Sequence, residues 1–182
     1  PAGDAFAAVA PLGRRFFSAP GTNDYTECSV IVEHADGSFA SQFLFSRAKT
    51  YTEKPVLPDL PSSYGEGRSL ELKYTDPVTR VSLYIQYTVF EDSDVIAVSS
   101  RVVNGSKKPV RLRRLMSLQC DLIGTEQEVV TFNGTWARER HKTSRQVGRG
   151  IFINDSKGGS SSHERNPFLL IKGKEVYGFN LV

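Results

Sequence analysis

The sequence predicts an all-β domain built largely of antiparallel strands, and two observations carry that prediction. Several stretches alternate apolar and polar residues with period two, the mark of a strand with one face on a core. Leu70, Leu72 and Tyr74 alternate with Glu71, Lys73 and Thr75, and Val81, Leu83, Ile85, Tyr87 and Val89 alternate with Ser82, Tyr84, Gln86, Thr88 and Phe90. Between such stretches stand turn-forming dipeptides, Asp36-Gly37, Asp76-Pro77 and Asn104-Gly105, whose backbones favour the conformations that reverse a chain. At 182 residues and 39% hydrophobic content, the chain is about the size of one domain and can build a core.

Composition excludes several functions. Lys and Arg total 23 against 20 for Asp and Glu, a formal net charge of +3, far short of the concentrated positive field that nucleic-acid binding uses. No window approaches the ~20 consecutive apolar residues of a membrane span, and no charged segment followed by an apolar one opens the chain. Neither nucleic acid nor membrane is an expected partner. Cys28 and Cys120 are far apart, lack metal-ligand spacing, and read as small buried hydrophobes. No metal or cofactor is expected, and the compartment stays open between cytoplasmic and secreted. The chain begins at Pro1 rather than methionine and ends at Val182 inside the apolar run 177–182, as expected of a piece of a longer protein.

In order along the chain, residues 1–20 read as an arm or linker, and residues 21–182 as the β domain. Residues 20–25 carry turn chemistry. Ser29 to Glu33 and Phe39 to Phe45 flank Ala35-Asp36-Gly37 and predict a hairpin. Pro55, Pro58 and Pro61 recur at every third residue around Leu57 and Leu60; prolines this dense cannot donate to a ladder, so the segment to Gly65 is expected to be an extended surface loop pinned by its leucines. It is read either as a partner-contacting loop or as an inert strap. The strand of Leu70 to Thr75 is expected to have one wet face. Glu91-Asp92-Ser93-Asp94 offers carboxylates to a glycosidase reading, yet its place between Phe90 and Val95-Ile96 predicts a solvated hairpin turn. After the Asn104-Gly105 turn, Val110, Leu112, Met116, Leu118 and Cys120 share one strand face, on which Arg114 also falls. A charge there requires either a β-bulge that re-aims it or a buried carboxylate partner. Arg111 and Arg113 point the other way, onto a solvated face without interleaved aromatic rings.

Residues 131–141 hold the only tryptophan, in Trp136-Ala137-Arg138-Glu139-Arg140-His141. Strand alternation places Trp136, Arg138 and Arg140 on one side and Ala137, Glu139 and His141 on the other. Indole beside guanidinium can stack cation on π and bind carboxylates or a neighbouring domain; the alternative is a surface ladder of ion pairs. Residues 157–167 are a polar loop leading to a strand at Phe168 to Ile171. Ser162 and His163 lack a nucleophile elbow and point apart on an extended backbone, and the glycines lack a phosphate-loop ending. Sequons stand at Asn104, Asn133 and Asn154, two of them read as Asn-Gly turns.

Four blocks in this order resemble the N-terminal domain of glycoside hydrolase family 36, the α-galactosidase group: residues 55–65, residues 87–96, Trp136-Ala137-Arg138-Glu139-Arg140 and residues 159–168. With residues 21–25 ahead and 176–179 behind, the resemblance covers nearly the whole chain from Gly21. It implies a large twisted antiparallel β-sandwich, a super-sandwich, which in the whole enzyme precedes a catalytic (β/α)₈ barrel. It implies a parent that releases terminal α-linked galactose from oligosaccharides such as melibiose and raffinose, with retention, through two carboxylates of the barrel. None of the family's catalytic motifs can be matched here, so the chain alone is expected to hydrolyse nothing. The implied partners are the barrel of the same polypeptide and, in a homo-oligomer, further copies. A segment just before the Gly21 block reaches a neighbour's active site in bacterial relatives; residues 1–17 match it poorly and inherit no role. Thr26 departs from the family's arginine. Within the blocks, Asp59, Tyr64, Trp136, Arg138, Glu139, Arg140, His163 and Asn166 are the candidates for an interface or the rim of a substrate pocket.

Two functions from different classes follow. The first is a non-catalytic domain of an α-galactosidase that buttresses the barrel and helps assemble oligomers through the Trp136 and His163 stretches. The second is a stand-alone carbohydrate- or protein-binding sandwich with Tyr64, Trp136 or Tyr51 as a stacking platform.

Overall fold

A computed structural model describes residues 17–21, 27–57, 63, 65–122, 124, 126–157 and 164–181. Among these residues the chain forms ten strands: β1 (Val30–Glu33), β2 (Leu44–Tyr51), β3 (Gly67–Thr75), β4 (Val81–Phe90), β5 (Ile96–Asn104), β6 (Arg111–Leu115), β7 (Glu128–Thr135), β8 (Arg138–Gln146), β9 (Arg165–Lys172) and β10 (Val176–Asn180). All pairings are antiparallel. The strands fall into two compact units, which divide after Asp121.

The first unit is a two-layer β-sandwich. Its larger sheet has the order β2-β3-β4-β5, and its smaller sheet is the pair β1-β6. The period-two alternation of β4 sends Val81, Leu83 and Ile85 inward, where they meet Val30 and Val32 of β1 and Ala19 in one buried cluster. The register extends that face across the sheet, with Leu83 opposite Tyr74 and Val102, and Ile85 opposite Leu72. Each of the larger side chains contributes about 1.5–3 kcal/mol by leaving water. Ser18 and Ala19 are buried with this core, and Ser18 O accepts Ser29 N and Val30 N at 3.0 and 3.1 Å. The packing therefore begins ahead of Gly21.

Several expected turns are in place. Asn104 Oδ1 accepts the Ser106 amide at 3.0 Å, and residues 91–94 close the β4–β5 hairpin. At Asp76-Pro77, the buried Asp76 carboxylate accepts the amides of Val78 at 2.8 Å, Thr79 at 3.1 Å and Gln42 at 2.9 Å. Burial works to raise the Asp76 pKa, but these bonds and the Thr79 hydroxyl outweigh it and hold the carboxyl below its ordinary value near 3.8.

The Asp36-Gly37 stretch is a turn but not a hairpin. Gly37 takes φ +82° and His34 N donates to Ser38 O at 2.9 Å, yet β1 pairs with β6 and β2 pairs with β3. The backbone after the turn has other partners. His34 Nε2 lies 3.1 Å from Ala40 O and 3.0 Å from Ser41 Oγ, Ser41 N donates to Pro20 O, and Gln42 N goes to Asp76. No strand forms until Leu44.

Other expectations are corrected in the same unit. The strand after Asn104 ends at Leu115 rather than reaching Cys120. Its register shifts so that Val30 faces Leu115, Ile31 faces Arg114 and Val32 faces Leu112. The extra residue is Arg113, and this β-bulge re-aims Arg114 out of the core line. The carboxylate that Arg114 meets, Glu27, is exposed rather than buried. Cys120 is exposed and Cys28 half-buried, so they are not a pair of core hydrophobes. Leu57 is exposed and lies outside the buried core; residues 58–62, with Leu60 among them, lie outside the described residues, as do 1–16 and 22–26.

The expected wet face of β3 is covered at Glu71. That side chain is buried, with Arg47 Nη2 at 3.7 Å, Arg101 Nη2 at 3.4 Å and the Tyr51 hydroxyl at 3.5 Å. Beside it Ser69 and Thr88 share a hydrogen bond of 2.8 Å. Arg101 also stacks 4.1 Å from the Tyr84 ring centre. Long cationic side chains lie over the polar face and remove it from water.

The second unit is one sheet in the order β10-β9-β7-β8. Val129, Val130 and Thr131 of the central β7 are its buried residues, and Phe132 stacks on Phe168 of β9 with centroids 6.0 Å apart.

Candidate functional site

The candidate residues divide by position. Asp59, Tyr64 and His163 lie outside the described residues. Trp136, Arg138, Glu139 and Arg140 gather on the β7–β8 hairpin. Asn166 lies in β9, half-buried, and its carbonyl accepts Asn154 Nδ2 at 3.4 Å. The register sets Asn133 of β7 opposite His141 of β8 and Arg165 of β9, so Asn166 and the hairpin tip share one end of this sheet.

The hairpin corrects the alternation expected of residues 136–141. Thr135 pairs with Arg138, leaving Trp136-Ala137 as a two-residue connection. Ala137 takes φ +61°, and Glu139 Oε1 accepts its amide at 3.1 Å. Arg140 also takes φ +61°, where the register shifts so that residues 133–135 of β7 face 138–141 of β8. Each such left-handed residue costs on the order of 1 kcal/mol. Gly134 admits the bulge: a Cβ there would lie 2.4 Å from Arg138 O and 2.6 Å from Glu139 Cα. Asn133-Gly134 is thus strand rather than turn. The glycine was the available signal for this close approach, whereas nothing in the sequence marks Arg140 as left-handed.

The tip is open and cationic. Trp136 is 78% exposed, and every residue of β8 is exposed. Along β8 stand Arg138, Arg140, Lys142 and Arg145 against the single carboxylate of Glu139. Arg145 lies 4.7 Å from the Phe152 ring centre. Among the described residues, neither the expected stacking of Trp136 on a guanidinium nor a ladder of ion pairs forms, because the turn separates Trp136 from the strand alternation. Free guanidinium groups beside an indole can bind carboxylates and fill an apolar recess. They supply no nucleophile or general acid–base pair.

Two other features bear on a sugar platform. The Tyr51 ring has Lys49 Nζ at 4.6 Å from its centre, so a cation already occupies that face. A depression at the opposite end of the second sheet is lined by Glu126, Glu128, Gln146, Lys172, Gly173 and Lys174, without an aromatic ring. Each sequon nitrogen is engaged: Asn104 Nδ2 donates to Lys108 O, Asn133 Nδ2 to Thr143 Oγ1 and Asn154 Nδ2 to Asn166 O.

Antiparallel sheets in both units, with an exposed cationic hairpin at one end of the second, define an all-β domain. The chain belongs to the glycosyl hydrolase family 36 N-terminal domain, whose family pattern matches residues 7–182. Alpha-galactosidase 1 of Pediococcus pentosaceus is 32% identical over 177 residues, covering 91% of this chain and 24% of that protein. The crystal structure of alpha-galactosidase AgaA of Geobacillus stearothermophilus superposes with TM-score 0.86 at 28% identity, over 91% of this chain and 24% of that one. The alpha-galactosidase of Lactobacillus brevis gives TM-score 0.86 at 30% identity, over 92% and 24%. Variants of AgaA have been solved in complex with stachyose and with raffinose. The chain spans about a quarter of the length of these relatives.

Proposed function

We propose that the chain is the N-terminal, non-catalytic domain of an α-galactosidase that hydrolyses terminal α-linked galactose from oligosaccharides such as melibiose and raffinose. In this role the domain buttresses the catalytic barrel of the same polypeptide and contributes to homo-oligomer assembly. The observation that carries this reading is the match of residues 7–182 to the family's N-terminal domain, in relatives of which the chain covers only 24%. The hairpin fits the reading, since an exposed indole flanked by unpaired guanidinium groups suits a protein interface. Raffinose and stachyose, bound by the AgaA variants, are α-galactosides of the proposed substrate class.

The test compares the full polypeptide with residues 1–182 on a chromogenic α-galactoside. The full polypeptide turns it over and the 182-residue chain does not; turnover by the short chain would sink the reading. A second reading, a stand-alone carbohydrate-binding module, is favoured by the exposed face of Trp136. Calorimetric binding of a galacto-oligosaccharide to residues 1–182, lost in Trp136→Ala, would support it over the first.

A further inference from the structure

Asn104-Gly105 ends β5 and opens the turn that leads to β6, and the fold demands both residues. A Cβ at position 105 would lie 2.7 Å from Arg80 O, so only glycine admits the hydrogen bond that Gly105 N donates to that carbonyl at 3.1 Å. The Asn104 side chain fastens the rest of the turn. Its Oδ1 accepts the Ser106 amide at 3.0 Å and the Ser106 hydroxyl at 2.8 Å, and its Nδ2 donates to Lys108 O at 2.8 Å. An aspartate would keep the acceptor and lose the donor. The pair that this turn requires is also a chemically labile one, because the nitrogen that follows the asparagine carries no neighbouring side chain to obstruct its approach to the amide.

We infer that Asn104 is a site of spontaneous deamidation, with Gly105 N as the nucleophile and water as the co-reactant, and that the hydrogen bonds of the turn set its rate. Gly105 N bonds to Asn104 Cγ and gives its proton to water, while the Cγ–Nδ2 bond breaks and ammonia leaves. Water then opens the succinimide ring to aspartate or isoaspartate; nothing is oxidised or reduced. In the folded turn both reacting groups are held. Gly105 N–H is committed to Arg80 O, and Arg80 is itself fixed, since its amide donates to Asp76 O at 2.9 Å. The three bonds of the Asn104 side chain hold its amide against Ser106 and Lys108. Reaction therefore waits on local opening of the turn. The product has no Nδ2 to donate to Lys108 O, so the change, once made, leaves the turn unfastened. Asn133-Gly134 is the internal contrast: β7 is paired on both sides, by β8 and β9, and Asn133 Nδ2 donates to Thr143 Oγ1 at 2.9 Å.

The test incubates the full polypeptide at mildly alkaline pH and follows positions 104 and 133 by peptide mapping, which reads the mass gain and the isoaspartate. The peptide spanning Asn104, released by digestion, is incubated beside it. In the folded wild type Asn104 converts on the order of tenfold or more slowly than in the peptide, and Asn133 more slowly still. Ser106→Ala removes a bond to Asn104 Oδ1, together with the Ser106 hydroxyl's contacts to Lys108 O at 2.9 Å and Lys108 N at 3.2 Å. The open turn then becomes about fivefold more populated and Asn104 converts faster by the same factor, while Asn133 and the denaturant midpoint stay near their wild-type values. The inference is overturned if Asn104 keeps its amide in the released peptide, if it converts as fast in the folded protein as in the peptide, or if Ser106→Ala leaves its rate unchanged. It is overturned as well if Asn133 accelerates to the same degree, which would trace the protection to the whole fold rather than to this turn.

Discussion

Gly134 of β7 lies against Glu139 of β8 so closely that a Cβ at Gly134 would sit 2.6 Å from the Glu139 Cα. The obstructing atoms are backbone, and they belong to the strand that carries the cationic edge. Gly134→Ala is therefore expected to destabilise the domain by about 1–3 kcal/mol and to disorder the hairpin tip. Gly148, which has no neighbour within 4 Å and no left-handed φ, is the control: Gly148→Ala leaves stability near the wild-type value. Denaturant midpoints of the two variants check the contrast.

Glu71 is a buried carboxylate under two arginines that are themselves 57% and 59% exposed. The asymmetry predicts the mutational response. Glu71→Ala removes the shared acceptor and leaves a gap beneath the arginines, at a cost of about 1–2 kcal/mol. Arg47→Ala is expected to cost less than about 1 kcal/mol, because Arg101 remains and an exposed pair is screened by solvent. Thermal melts of both variants check the order; an equal loss would contradict it.

The alternation in β4 made the core face legible over Val81, Leu83 and Ile85, but it fails at the strand's end, where Val89 is exposed, and in β3, where Ser69 and Glu71 are buried on the face expected to be wet. Leu83 and Ile85 are buried where that pattern puts them. What alternation does not encode is pairing between strands distant in sequence. The Asp36-Gly37 signal is local and correct as a turn, but β1 takes β6, about eighty residues on, because His34, Ser41 and Gln42 spend their bonds on a loop. The same limit applies to Arg114, whose position depends on a one-residue shift, and to the hairpin. There Asn-Gly stands two residues before the actual connection, and Trp136-Ala137, without a glycine, makes the turn. Burial of Glu71 was illegible for another reason: only the fold brings Arg47 and Arg101 over it.

Asp76 carries a pH dependence. Its folded pKa is depressed below the ordinary value near 3.8, so its contribution is fully present above the unfolded pKa and is lost as pH falls through the folded one. Wild-type stability is expected to drop below about pH 4 with a component that Asp76→Asn lacks. Asp76→Asn keeps one acceptor oxygen but loses the charge that three amides and the Thr79 hydroxyl favour, so at neutral pH it is less stable by about 1–2 kcal/mol. Denaturant unfolding of both proteins at pH 7 and pH 3 checks the sign, since their difference must narrow toward acid.

Trp136 separates stability from assembly. At 78% exposure the indole contributes little to folding, and Trp136→Ala is expected to change domain stability by less than about 0.5 kcal/mol. The backbone of the tip is held by the Ala137–Glu139 bond and the close approach at Gly134, neither of which involves the indole. At a protein interface the same ring would be a central anchor, where truncation costs about 2 kcal/mol or more. In the full polypeptide, Trp136→Ala should therefore weaken association on the order of thirtyfold at an unchanged melting temperature of the separated subunit, while Trp136→Tyr, which keeps a ring, loses less. Light scattering across a dilution series and calorimetry of the same samples measure the two quantities. A variant that melts early but associates normally would show that the tip serves the fold rather than the interface.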